Sequence, residues 1–265
     1  MTFKPLFARS AIGALLLACC AQAVLADQLD DIKKAGEIRV GIAMGNPLYS
    51  FADAAMKPTG SDVDTATLLA HDLGVKFDLV AITNAARVPT LQANKADIVV
   101  SNLSITPERE KVVDFSKPYA VITIIVAGPK DIQITDYADL KGKRIGLTRA
   151  TVNDTMTTQL AKGADISRYE DDATLITSVV TGQVDIFSST PANLGEVIKR
   201  APNKNMEKKF DQKDFLLGIA LNKDQPKLKE WINNWIATNL KNGKLNAIYK
   251  KYHGHDLPAS VTAGS

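Results

Sequence analysis

Two apolar stretches, residues 121–128 and 215–221, limit most strongly what this chain can fold into. The first reads VITIIVAG, and its β-branched residues are typical of a strand buried on both faces. Around these stretches, segments with strand periodicity alternate with helical segments, which indicates α/β layers with covered sheets. Because the two stretches begin about ninety residues apart, the chain is expected to leave one lobe and later return to it. The predicted fold class is α/β with two lobes and two hinge crossings.

Shorter elements fit this plan. Strands are predicted at 38–43, 75–82, 97–100 and 143–147, and helices at 63–73, from 87, at 228–240 and at 245–252. Residues 90–102 resemble residues 178–190, which supports two related lobes whose strand ends face a common cleft. The polar tail after Tyr252 is expected to be disordered.

The N-terminus has the layout of a secretory signal. Lys4 and Arg9 precede an apolar stretch at 11–18, small residues follow, and no acidic residue appears before Asp27. The stretch is too short for a permanent membrane anchor. Cleavage after Ala26 is predicted, with cleavage a few residues earlier as the alternative. The mature protein is therefore expected to be secreted across the cytoplasmic membrane.

A second interpretation of the signal rests on Cys19. Residues 16–19 read LLAC, which resembles a bacterial lipoprotein processing site and would leave Cys19 lipidated. Both cysteines, Cys19 and Cys20, lie in the signal. A chain cut after Ala26 has neither a thiol nor a disulfide.

The mature composition excludes several classes of function. Of 32 basic residues only Lys4 and Arg9 lie in the signal, so 30 basic residues face 29 acidic ones. This balance implies neither a nucleic-acid partner nor an acidic membrane. The sequence contains no metal-ligand spacing, no nucleophile with a placed base and no phosphate loop, so no metal, cofactor or catalytic residue is predicted.

Residues 97–109, DIVVSNLSITPER, hold the strongest candidate binding motif. Thr106 suits the N-cap of a helix and Pro107 its first position, yet Arg109 then lies in the first turn, where the helix dipole favours an acidic side chain. We interpret Arg109 as a carboxylate clamp, with Ser104 and loop amides around the same ligand group. The alternative is a surface ion pair with a neighbouring glutamate.

A second candidate anion site lies at residues 146–154, GLTRATVND. Thr151 and Asp154 have the spacing of a capping box, so a helix is predicted to begin here with free amides. Those amides would attract a carboxylate, and Arg149 could add a charge. The alternative is plain helix capping with Arg149 in solvent.

Over nearly its whole mature length the sequence resembles the periplasmic solute-binding proteins of ATP-driven polar amino acid uptake systems. The matching segments, in order, are GEIRVGI, NPLYSFAD, GSDVDTATLLAHDLG, ARVPTLQANKADIVVSNLSITPERE, VVDFSKPY, DLKGKRIGL, TGQVDIF and LNAIYKKYHG. The resemblance implies the two-lobed type II periplasmic-binding-protein fold. It places the signal at 1–26, lobe 1 at 27–122 and 218–265, and lobe 2 at 123–217, with hinges near Ile122 and Gly218.

The resemblance also implies a ligand site. The arginine at position 109 would bind the ligand α-carboxylate with help from positions 104 and 151, and the backbone carbonyl of Asn102 would accept from the ligand amine. The remaining candidates from the resemblance are pocket residues of the first lobe and a basic residue of the second: Asn46, Ser61 and Arg149.

Two departures from the family pattern bear on the ligand. Ser61 replaces an aromatic residue, and Thr190 replaces the aspartate that meets the ligand α-ammonium. A buried ammonium without a countercharge is costly, so either neutral oxygens hold the amine or the ligand has none. With Arg87 added as a partner for a side-chain carboxylate, the cleft is expected to hold three arginines and no carboxylate. This expectation favours an acidic or polar amino acid, or a dicarboxylate.

The predicted function is therefore capture of a small carboxylate, an amino acid in the first instance, between two lobes of a monomer, and delivery to a membrane ABC permease. Two alternatives stay open: a non-amino organic acid as ligand, and a cyclohexadienyl dehydratase on the same fold. The dehydratase needs a general acid beside the leaving hydroxyl. The motifs place no carboxylate or histidine in the cleft, which argues against it.

Overall fold

The computed structural model describes residues 27–263, and the predicted signal with its two cysteines lies outside the described residues. Ten strands are present in this range: β1 Glu37–Ala43, β2 Phe51–Ala52, β3 Pro58–Thr59, β4 Lys76–Ile82, β5 Ile98–Val99, β6 Asp114–Pro129, β7 Arg144–Thr148, β8 Asp165–Tyr169, β9 Ile186–Ser189 and β10 Met206–Leu221. The same range contains ten α-helices: α1 Gln28–Ala35, α2 Ser61–Leu73, α3 Arg87–Gln92, α4 Pro107–Glu110, α5 Val152–Leu160, α6 Asp172–Val180, α7 Pro191–Arg200, α8 Pro226–Lys241, α9 Lys244–His253 and α10 Ala259–Thr262.

Eight strands form one sheet in the order β4-β1-β5-β10-β6-β9-β7-β8. The outer strands pair in parallel on both sides, β1 with β4 and β5, and β7 with β8 and β9. The two long central strands, β6 and β10, run antiparallel along 16 residues each. These two strands are the predicted apolar crossings, and they connect two parallel α/β halves into the predicted two-lobed fold.

Each half has its own hydrophobic core. One core packs α2, α8 and α9 around β1 and includes Ile38, Leu69 and Ile232. The other packs α6 and α7 against the second half of the sheet, around Leu175 and Phe187. Strand β6 contributes to both cores. Separate cores allow each half to keep its own structure while the connecting strands bend.

The predicted strand at 215–221 is only the last part of β10, which begins at Met206. Residues 206–214 alternate polar and partly buried positions because one face of this antiparallel ribbon lies open, so they do not resemble an apolar strand. The register pairs Ile122 with Phe215 and Pro118 with Gly218.

The expectation of a disordered tail is wrong for the described part of it. After α9 the chain folds back, Leu257 and Val261 are buried in the first core, and α10 forms. The sparse apolar residues of the tail did not predict this, because their burial depends on a surface supplied by distant elements.

Candidate functional site

A cavity lies between the two halves of the sheet, beside strand β6. The space inside it that the centre of a water molecule can reach is about 30 Å³, so the site is narrow in this structure. Six of the nine predicted binding residues line it: Arg87, Asn102, Ser104, Arg109, Thr151 and Thr190. The rest of the lining comes from residues that the sequence analysis did not select: Asn84, Ile122, Ile124, Val152, Asn153, Asp172 and Ser189.

Arg109 reaches the cavity from the first turn of α4. Thr106 caps this helix by accepting from the Arg109 amide, and Pro107 occupies the first turn, as predicted. The guanidinium donates through Nη1 to the Ser104 carbonyl at 2.8 Å and through Nη2 to the Ala150 carbonyl at 3.2 Å. Within residues 27–263 these acceptors are neutral carbonyls, and no carboxylate pairs with Arg109. The alternative of a surface ion pair is therefore wrong.

Burial controls the electrostatics of Arg109. Loss of solvent, together with the nearby charge of Arg87, lowers the pKa of Arg109 to about 9, and the charge of Glu108 opposes this shift only in part. A cation held in a partly dry site without a countercharge is costly unless a ligand supplies the missing negative charge. The arrangement therefore favours a ligand carboxylate.

Arg87 lines the cavity from the first position of α3. It is 3% exposed, donates through Nε to the Asn84 carbonyl at 2.9 Å, and donates through Nη1 to the Ser101 carbonyl and to Asn102 Oδ1 at 3.1 and 3.2 Å. Burial lowers its pKa to about 10, against the attraction of Asp172. Asn102 itself has a φ of 37°, a left-handed conformation that Asn tolerates better than most residues.

The second lobe presents two helix starts to the cavity. Thr151 caps α5 by accepting from the Asp154 amide at 3.2 Å, and Thr190 caps α7 by accepting from the Asn193 amide at 3.2 Å. Strand β9 ends at this edge of the sheet, and Ser189 at its end also lines the cavity. Helix starts and strand ends therefore converge here, as ligand sites of α/β sheets require.

Asp172 corrects the expectation that the cleft contains no carboxylate. It occupies the first position of α6, is 7% exposed and lines the cavity opposite Arg87. Burial raises the pKa of its carboxyl group, against hydrogen bonds from Thr148 and Asn193. Its neighbour Asp171 caps the helix. Because two acidic residues at a helix start are typical of capping, the sequence did not indicate that Asp172 lines the cavity.

Three predicted residues lie outside this lining. Arg149 is half-exposed and pairs with Glu170 at 3.0 Å, because the turn before α5 directs it away from the cavity. Asn46 is buried but donates to the Ala43 carbonyl of its own loop. The hydroxyl of Ser61 is hydrogen-bonded instead to His253 at the end of α9, at 3.1 Å. The expected cluster of three arginines is thus reduced to two, with one carboxylate facing them.

The two lobes touch at the mouth of the cavity. The Arg109 guanidinium of the first lobe bonds to Ala150 of the second. A Cβ placed on Gly45 would lie 3.3 Å from the Ala173 side chain, so the backbone of one lobe meets α6 of the other. The chain is therefore in a closed arrangement.

A buried acid lies behind the cavity. Asp62, 1% exposed in α2, accepts from the Tyr119 hydroxyl at 2.9 Å. Burial raises its pKa to about 7, and hydrogen bonds from Tyr119 and from the Asn102 amide together with the charge of Arg87 oppose this shift only in part. Asp62 therefore supports two cavity residues, Asn102 by a hydrogen bond and Arg87 by its charge, from within the first lobe.

Residues 27–263 contain no group of three or more histidine, cysteine or acidic side chains arranged to hold a metal ion. Across the same residues, none of the helices combines the length and apolar character that a membrane crossing requires.

Comparison with known proteins adds to this geometry. The family model for bacterial extracellular solute-binding proteins, family 3, matches residues 38–255. The L-cystine-binding protein TcyJ of Escherichia coli (strain K12) is 29% identical over 86% of this chain and 87% of that protein. A solved mutant of ArgBP from T. maritima has a TM-score of 0.80 at 27% identity, covering 86% of this chain and 99% of its own. The ancestral amino acid-binding protein AncCDT-1, a precursor of cyclohexadienyl dehydratase, has a TM-score of 0.78 at 33% identity, covering 85% and 99%.

Proposed function

Since this chain belongs to the bacterial extracellular solute-binding proteins of family 3, we propose that it captures a small carboxylate ligand, an acidic or polar amino acid, for uptake. The protein works in the periplasm as a monomer and delivers its ligand to a membrane ABC permease. The observation that carries the proposal is a pair of arginines, Arg87 and Arg109, that line an interlobe cavity and whose hydrogen-bond acceptors within residues 27–263 are all neutral. An anionic group of a ligand would stabilise these two buried cations.

The binding mechanism is closure of two lobes. We assign residues 27–122 and 218–265 to lobe 1 and residues 123–217 to lobe 2, with bending near Ile122 and Gly218. Arg109 and Ser104 belong to lobe 1 and Thr151 to lobe 2, so a carboxylate can contact all three only when the lobes are closed. A ligand that binds the closed form better shifts the population toward it. The permease then recognises the closed shape.

Mass spectrometry of ligand released from gently purified protein tests the proposal directly. A thermal-shift screen of the twenty amino acids and common organic acids complements it, because a ligand that binds the folded state raises the melting temperature. The expected result is strong stabilisation by at least one carboxylate-bearing compound. Stabilisation by none of them would contradict the proposal.

One observation favours a second candidate. The buried Asp172 carboxyl, with its raised pKa, is the kind of group that could donate a proton to a leaving hydroxyl, as a dehydratase requires. One similar solved structure, itself an ancestral amino acid-binding protein, is a precursor of a cyclohexadienyl dehydratase. An assay of prephenate turnover separates the candidates: turnover lost in Asp172→Asn would establish the enzyme, and no turnover is the outcome expected for a binding protein.

A further inference from the structure

The position that holds the ligand ammonium in the resembling family is here Thr190, whose hydroxyl caps α7, so the ammonium of an amino acid ligand needs another partner. We propose that Asp172 is this partner, and that the ligand is an α-amino acid and not an amine-free acid. This inference rests on the proposed function, because it assumes that Arg109 takes the ligand carboxylate.

The surroundings of Asp172 prepare its carboxylate to accept. Thr148 donates to Oδ1, and Asn193 adds a second side-chain hydrogen bond. Asn193 is itself oriented by the Ser189 hydroxyl at 2.5 Å. The carboxylate is thus fixed in direction by neighbouring donors, and carboxylate oxygens have room for further donors beyond these.

An acceptor of the first lobe lies in the same cavity. Asn84 is 4% exposed and lines the cavity, and its Oδ1 atom is buried without a hydrogen-bond partner among residues 27–263. A buried acceptor without a donor is costly. Asn84 Oδ1 therefore needs a donor from whatever occupies the space between the lobes, and Asp172, which already accepts from Thr148 and Asn193, can accept another hydrogen bond. An ammonium group, with three donors and a positive charge, satisfies both.

The balance of charge agrees with this assignment. The cavity holds two cations, Arg87 and Arg109, and one carboxylate, Asp172. Arg87 and Asp172 attract each other across the cavity, yet no direct ion pair joins them within residues 27–263. An amino acid places its own carboxylate and ammonium between these groups. An amine-free acid would occupy only the arginine side, leaving Asn84 Oδ1 without a donor and Asp172 with Thr148 and Asn193 as its donors.

Calorimetry with matched pairs of probes tests the inference on the full mature protein. The pairs are L-glutamate with glutarate, L-serine with 3-hydroxypropanoate, and L-cystine with 3,3′-dithiodipropionate, each differing only in the amine. Truncating one partner of a buried charge pair weakens binding by about thirtyfold or more. We expect the amino acid of each binding pair to be favoured by at least this factor, and Asp172→Asn to remove the preference.

Two further variants keep the test decisive. Asp171→Asn removes an equal charge from the neighbouring position and keeps the helix cap, since Asn is also a good N-cap; it should bind every probe as the wild type does. Thr190→Asp added to Asp172→Asn restores a carboxylate at the other wall while keeping the α7 cap, and should recover the preference for the amine. Circular dichroism verifies that each variant is folded.

The outcomes separate the inference from the proposed function. If the amine-free member of every binding pair binds as tightly as its amino acid, or if folded Asp172→Asn keeps the preference, the inference is overturned while carboxylate binding stands. If organic acids stabilise the protein in the thermal-shift screen and no amino acid does, the inference is overturned in the same way. If neither class binds, the inference and the proposed function both fall.

Discussion

Replacement of Arg109 by alanine tests the site most directly. In the closed structure its guanidinium has two carbonyl acceptors, Ser104 and Ala150, and burial lowers its pKa to about 9. Among residues 27–263 no carboxylate lines this side of the cavity, so a bound carboxylate would supply the anion that Arg109 lacks there. Removing Arg109 leaves that anion unpaired, which costs roughly 3 to 5 kcal/mol, a loss of affinity of a hundredfold or more.

The stability of the unliganded protein should respond differently. Arg109→Ala loses two charge-assisted hydrogen bonds, each contributing about 1.5 to 3 kcal/mol. It also removes a cation that is costly to bury, and the two effects oppose each other. We therefore expect the free energy of unfolding to change by about 1 kcal/mol or less, which is small beside the effect on binding.

Arg149→Ala is the matched control. This arginine follows the strand that leads to the same turn, but it is half-exposed and pairs with Glu170. Exposed pairs of this kind contribute at most about 1 kcal/mol, and affinity should be unchanged. Isothermal calorimetry with the most stabilising compound of the thermal-shift screen measures both variants. Near-normal affinity in folded Arg109→Ala, or an equal loss in Arg149→Ala, would refute the clamp.

Three other predictions address the fold and its maturation. The pKa of Asp62 is raised to about 7 in the folded state, so the folded protein binds more protons than the unfolded chain, and the stability from this group falls as pH rises from about 4 to 7. Asp62→Asn should abolish up to about 4 kcal/mol of this pH dependence of the free energy of unfolding, measured by denaturation at a series of pH values. Parallel stability curves for the wild type and the variant would contradict the shift. Gly60→Ala places a Cβ 2.3 Å from the Tyr49 carbonyl oxygen at a φ of 123°, so the free energy of unfolding should fall by about 2 kcal/mol or more. A fall below about 0.5 kcal/mol in urea titrations would be inconsistent with this contact. Intact-mass analysis of protein from its native host should show a chain beginning at or near Asp27 without a thiol, whereas a lipid increment on Cys19 would establish the lipoprotein alternative.

Local sequence determined the elements of this protein and much of its cavity. The caps at Thr106 and Thr151 and the end of the helix at Leu73 depend on residues within a few positions, so they were predictable and are confirmed. The β-branched run of β6 predicted a buried crossing strand for the same reason. The carboxyl ends of parallel strands meet at one edge, so residues placed there by their motifs, such as Arg109 and Thr190, reach one cavity.

Tertiary structure decided the charge of the cavity. Asp172 resembles a second capping acid in sequence, and only the closure of α6 over the first lobe brings it opposite Arg87. Arg149 shares a turn with the cavity residues, yet it pairs in solvent with Glu170, which directly follows the neighbouring strand β8. Ser61 is likewise withdrawn by His253, far along the chain. Periodicity and capping report interactions over a few residues, whereas the direction of a side chain depends on partners that only folding brings within reach.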